Sequence, residues 1–266
     1  MKSLIVALGL SLFLAVPQDL GDSIKDLKKL RDDTPEEVFD AVAKDGSKEA
    51  LDALIEVYPN MATTFYRIQI LSAVSTYDGL TGSAAVAAEF LANVVGNTDD
   101  PEIYDAGLAA LSQCRASGPH YLRVLVESPL SSTIRERALE LYIESDGGTD
   151  MDFLKGIYLL PSMDKDAPKA KKPKKKKGKD DEEEKGTVLT NSTVMRDMAL
   201  KAFGPRAEVK DLEEYIEKEP TPRLFATLLK ILAQKNAPKI DERAQDALGR
   251  VTFPGEVRSA AAEILA

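Results

Sequence analysis

The sequence predicts an all-α fold of stacked helical hairpins, and three observations carry that reading. The chain of 266 residues is rich in Ala and Leu, has no Trp, and is only 6% aromatic, which suits closely packed helices better than sheets of β-branched and aromatic side chains. Six segments share one apolar register: "YRIQILSAV" (66–74), "IYDAGLAAL" (103–111), "IRERALELY" (134–142), "MRDMALKAF" (195–203), "LFATLLKIL" (224–232) and "VRSAAAEIL" (257–265). A further amphipathic segment lies ahead of each, so the repeating unit is a helix pair.

Taken in chain order, the first element is "MKSLIVALGLSLFLAVPQ", one lysine followed by an uncharged apolar run over residues 4–16. This is the layout of a secretory signal, assigned to residues 1–18. The run is shorter than the roughly 20 residues that a membrane-spanning helix needs. Export is therefore the expectation, to a periplasmic or extracellular location. Because no small-x-small site follows Ala15, an uncleaved leader acting as an anchor is the alternative. No Cys follows the run, which argues against a lipid-modified N-terminus.

Residues 23–46 read as an N-terminal helical cap. Ile24, Leu27 and Leu30 give it an apolar stripe, and Thr34, Pro35 and Glu37 form a capping-box pattern ahead of a further helix.

The repeat region is assigned to residues 48–266. Its first helices carry Leu51, Leu54, Ile55 and Tyr58; Val86, Phe90, Leu91 and Val94; Tyr121, Leu122 and Leu125; Phe153, Leu154 and Ile157; Val209, Leu212 and Ile216; and Ile240, Ala244, Ala247 and Val251. In the second helices the first position holds Tyr66, Ile103, Ile134, Met195, Leu224 and Val257. Four residues on come Ile70, Gly107, Ala138, Ala199, Leu228 and Ala261, mostly small, and eight on come Val74, Leu111, Tyr142, Phe203, Leu232 and Leu265. Positions i, i+4 and i+8 share one helix face, so each segment has a single buried stripe, and small residues midway let helices approach closely. Asp100 before Pro101, Ser131 and Ser132, Ser192 and Thr193, and Thr221 before Pro222 can cap these helices or preset their first turns.

Successive second helices start 37, 31, 61, 29 and 33 residues apart. The long interval contains "KAKKPKKKKGKDDEEEKG" (169–186). Removing about 30 residues there restores the period, which places residues 161–190 as an insertion within the fourth hairpin. Lys, Pro, Gly and acids with scarcely an apolar side chain cannot repay the entropy of ordering, so the insertion is expected to be disordered. It holds ten Lys and seven acids, leaving 25 basic and 37 acidic side chains in the remainder, which is thus strongly acidic. Such a surface repels phosphate backbones, and no nucleic-acid partner is expected. Lys171, Lys172, Lys174, Lys175, Lys176, Lys177 and Lys179 could contact an anionic membrane surface weakly. The acidic block at 180–184 competes for them, and salt screens the attraction.

The hairpin period and the "VRSAAAEIL" type of second helix resemble the HEAT-repeat family, particularly its short bacterial variants. The similarity covers roughly residues 48–266, and Arg67, Arg135, Arg196 and Arg258 follow the first apolar anchor in four of six units. The resemblance implies a right-handed α-solenoid of about six HEAT-like hairpins, with armadillo-like and other α-hairpin solenoids as neighbouring possibilities. It also implies that these arginines support packing between repeats. Tyr104 and Phe225 depart from the pattern, so no continuous arginine row is expected.

Cys114 and His120 are the sole residues of their kinds, which leaves no intramolecular disulfide and no histidine-based triad or structural zinc site. Cys114 is expected as a buried thiol on the core-facing side of its helix. No phosphate-cradling Gly-rich loop occurs. "NTDDPE" (97–102) and "SDGGTDMD" (145–152) are acidic turns without the ligand spacing of an EF-hand. The expectation is a non-enzymatic scaffold that needs no cofactor or metal and presents a curved surface to a protein partner. An envelope-anchored structural protein is the alternative, and an enzyme of lyase or nucleic-acid-repair type, as in some HEAT-like proteins, is a more distant one.

Overall fold

The computed structural model describes residues 20–29, 36–79, 82–160, 190–250 and 252–266. The leader, Thr34 and all but the last residue of the insertion lie outside them. Fourteen α-helices occur among the described residues and no β-strand: α1 (Leu20–Lys28), α2 (Glu36–Asp45), α3 (Lys48–Val57), α4 (Thr64–Ser75), α5 (Ala84–Gly96), α6 (Pro101–Gln113), α7 (Gly118–Glu127), α8 (Ser132–Glu144), α9 (Met151–Leu159), α10 (Thr193–Phe203), α11 (Val209–Lys218), α12 (Pro222–Gln234), α13 (Ile240–Gly249) and α14 (Gly255–Leu265). None is long and apolar enough to cross a membrane.

The helices pack in neighbouring pairs, with α5 on α6, α7 on α8, α9 on α10 and α13 on α14, an arrangement that fits an α-solenoid. The second helices form one continuous layer in which α4, α6, α8, α10, α12 and α14 each touch the next. Ahead of α3, α1 and α2 pack as a pair, with α1 on α3 and α2 on α4. Tyr77 locks this pair down. Its hydroxyl donates to the Val42 carbonyl at 2.9 Å, and its ring is wholly buried.

Caps explain where the second helices begin. Thr63, Asp100, Ser131 and Ser192 accept from the backbone N–H of Tyr66, Glu102, Ile134 and Met195, meeting donors that the first turn leaves open. Thr221 differs. It holds the N-cap position of α12 without a side-chain cap bond, and its Oγ1 is buried without a partner. The start of α12 rests instead on Pro222, whose fixed φ suits a first turn. One cap crosses between pairs: Asp78 accepts from the N–H groups of Ala116, at 2.9 Å, and Ser117, at 3.3 Å, at the start of α7.

The core follows the expected stripe except at its C-terminal end, where Leu265 of α14 is exposed because no further pair follows to cover it among the described residues. Tyr66, Ile103, Ile134, Met195, Leu224 and Val257 are all buried, as are Gly107, Ala138, Ala199 and Ala261. At Gly107 a Cβ would stand 2.7 Å from Cγ2 of Val95 on α5 and 4.0 Å from Cδ1 of Leu71 on α4, so the missing side chain is what allows three helices to converge. Gly118 is tighter, because a Cβ there would lie 2.3 Å from the Leu111 carbonyl oxygen. Gly156, inside α9, has open space around it. Gly118→Ala should therefore lower unfolding free energy by about 3 kcal/mol through overpacking, whereas Gly156→Ala should raise it by about 0.5 kcal/mol through helix propensity; urea denaturation of both variants checks the contrast.

Candidate functional site

The residues singled out in the sequence separate into distinct places. Arg135 and Arg196 each send Nε back to a carbonyl in the last turn of the first helix of their own pair, and Arg67 sends Nε to the carbonyl of Met61, just after the 3₁₀ turn that follows α3. Arg67 reaches Met61 at 3.1 Å, Arg135 reaches Val126 at 2.8 Å and Arg196 reaches Tyr158 at 2.7 Å. Helix C-termini leave such carbonyls without intrahelical donors, and a guanidinium supplies both the bond and a favourable charge.

Two of these arginines also reach forward to the next turn. Arg135, almost completely buried, donates to the Thr190 carbonyl at 2.7 Å and to Oδ1 of Asn191 at 2.5 Å, while the Asn191 amide donates to the Ile157 carbonyl at 2.9 Å. Burial lowers the Arg135 pKa. Arg196 pairs with Glu219 at 2.9 Å, and Glu219 also accepts from the Tyr158 hydroxyl at 2.9 Å and the Thr221 N–H at 2.9 Å. Burial pushes Tyr158 up, as does the Glu219 carboxylate. The Arg196 guanidinium stacks over the Tyr158 ring. Arg258, on α14, is exposed. These are junctions between helix pairs, and each of the three guanidinium nitrogens of Arg135 makes a hydrogen bond there. Lys171, Lys172, Lys174, Lys175, Lys176, Lys177 and Lys179 lie outside the described residues.

A further polar node was not legible from the register. Asp197 of α10 is 1% exposed, and it accepts from Lys201 at 2.9 Å, Arg223 at 2.9 Å and Thr227 at 2.6 Å. Burial by itself raises its pKa, but the hydrogen bonds from Lys201, Thr227 and Arg223 outweigh that and the net shift is downward. The exposed positions beside it on the second-helix layer hold Phe65, Glu102, Asp105, Glu140, Val194, Lys201, Arg223 and Lys230.

In each acidic turn one aspartate serves the fold. Asp100 caps α6 and meets the Thr64 hydroxyl. Asp150 caps α9 and accepts from Arg123 at 2.9 Å and Tyr142 at 3.1 Å. Among the described residues no group of three or more His, Cys, Asp or Glu could hold a metal ion. Cys114 is wholly buried, near the Ser75 and Ala110 carbonyls. Burial, then Asp78, pushes its thiol up to about 12. His120 is exposed, edge-on to Tyr121.

Two open clefts flank the α7–α8 pair. One, of about 440 Å³, is lined by Ser112, Arg115, Pro119, Leu141 and Glu144. The other, of about 630 Å³, lies between α7 and α9 with Phe153, Ile157 and Leu160 as its floor and Arg123, Glu127 and Asp152 at its rim. No family model matches the chain, and no curated protein matches it.

Arg135→Ala strips Val126, Thr190 and Asn191 of a buried partner and should cost about 3–4 kcal/mol, while Arg258→Ala should stay within about 0.5 kcal/mol; paired chemical denaturation curves check this. Asp197 has a folded pKa below its ordinary 3.8, so its contribution is complete above that value and is lost as pH falls through the folded pKa. Asp197→Asn should therefore cost about 2 kcal/mol at neutral pH, a gap that narrows below about pH 4; stability measured against pH for both proteins tests it.

Proposed function

We propose that the chain is a non-enzymatic binding or scaffolding module, a right-handed α-solenoid of HEAT type whose partner is a protein. The reading takes about six hairpins, with the α1–α2 pair closing the N-terminal side. The observation that carries it is the unbroken layer of second helices, where side chains at matching positions of successive pairs face outward together. Solenoids bind through such preformed surfaces, and little ordering is needed on docking. The outward row mixes apolar Phe65 and Val194 with charges of both signs, the composition of a protein interface rather than of a phosphate-binding groove. The repeat arginines Arg67, Arg135 and Arg196 support packing in this reading, and the surface between them does the binding.

Export follows from the apolar run over residues 4–16. If the leader stays attached, the same body becomes an envelope-anchored structural protein, and the intact mass of the mature chain separates these two cases.

Photo-crosslinking residues placed at Ala109 and Glu140 on the second-helix layer, and at Glu89 and Glu214 on first helices, test the binding surface. All four positions are exposed. In cells that make the protein, a discrete protein adduct is expected from the first two positions and none from the others. Equal labelling of both sets, or none from either, would overturn the proposal.

A further inference from the structure

The helix pairs are not joined alike along the stack. α4 lies along α6, and α12 along α14, over much of their length, whereas α6 with α8 and α8 with α10 meet along short stretches. At the neighbouring α6/α8 boundary the first helices α5 and α7 also pack on each other. Between α7 and α9 there is instead the 630 Å³ cleft.

Apart from the buried Leu139 and the edge-on ring pair of Tyr142 and Phe153, the contacts that span the α8/α10 boundary are largely polar. Arg135 donates to Thr190 and Asn191, Ser192 donates to Glu136 at 2.6 Å, Arg206 donates to the Gly148 carbonyl, and Arg123 and Tyr142 hold Asp150. The covalent link on this side is the short 3₁₀ turn Asp146–Thr149, "DGGT", with two adjacent glycines.

Polar contacts of this kind can be exchanged for water at small net cost, while opening an apolar seam exposes surface that water cannot satisfy. A boundary whose second helices meet only briefly, with little first-helix packing to reinforce them and with many exchangeable contacts, is the one that opens first. We propose that the α8/α10 boundary is a built-in joint about which the two halves of the stack change their relative tilt, widening and narrowing the α7/α9 cleft. This device goes beyond the binding role proposed above and stands without it.

The test uses the full chain with Cys114→Ala and pairs of spin labels at one equivalent, exposed position of adjacent second helices. Glu140→Cys with Lys201→Cys spans the joint. Ser72→Cys with Ala109→Cys, and Lys230→Cys with Glu263→Cys, span the long seams. The interlabel distance distribution across the joint should be at least about twice as broad as those of the two reference pairs. Glu136→Ala removes one contact across the joint and leaves Ser192 free to cap α10, so it should broaden that distribution further and leave the references unchanged. Equal widths for all three pairs, or no response to Glu136→Ala, would overturn the proposal.

Discussion

Each helix pair in this protein has an apolar stripe that it cannot cover alone, and the rest of the structure follows from that constraint. The stripe at positions i, i+4 and i+8 closes a pair, but the seam to the next pair needs another row. Five residues after the first anchor stand Leu71, Leu108, Leu139, Leu200 and Leu229, each at most 1% exposed. Leu71 shows where the row goes: its Cδ1 lies against the backbone of Gly107 in the following pair. At the same position α14 has Ala262, which is exposed. Burying a leucine is worth about 2 kcal/mol, so a repeated leucine at one register position is enough to make stacking of successive pairs favourable.

Stacking by apolar rows leaves a polar problem at the turns, where first helices end with open carbonyls. One arginine per turn solves it in three pairs, always through Nε. The solution is indifferent to what the chain does between the two ends of the turn. In the α7–α8 pair the bond from Arg135 to Val126 spans nine residues, and in the α9–α10 pair the bond from Arg196 to Tyr158 spans 38. The difference is the length of segment 161–189, and the two bonds differ by only 0.1 Å. Since lengthening a loop adds closure entropy only logarithmically, an insertion placed outside a turn already fixed on both sides costs the fold little.

Much of this architecture was readable because it is periodic. All six second helices and their anchors follow from the register, and the caps at Asp100, Ser131 and Ser192 from local chemistry. At Thr221 the N-cap position is filled without a side-chain bond, because a side-chain type suited to capping says nothing about the rotamer that packing allows. Asp197 was invisible since its partners Arg223 and Thr227 lie a full repeat away, and only the stacked layer brings them together. A signal existed all the same: an aspartate two residues after the apolar anchor Met195 points off the core stripe, where burial requires a partner. The leucine row was available by counting one more column of the alignment.

The same bookkeeping of rows explains why the seams differ. At Leu71 and Gly107 an apolar side chain meets a position without one, and there α4 and α6 approach closely. Between α8 and α10 the row continues with Leu139, but the seam also takes in a turn, with Thr190, Asn191 and Ser192 offering a carbonyl, an amide and a hydroxyl. A turn that accommodates an insertion must present backbone groups, and those groups call for Arg135 and Glu136 opposite them. Polarity at this seam is therefore a consequence of where the chain is interrupted, and tolerance of an insertion and freedom to tilt arise from one local choice of side chains.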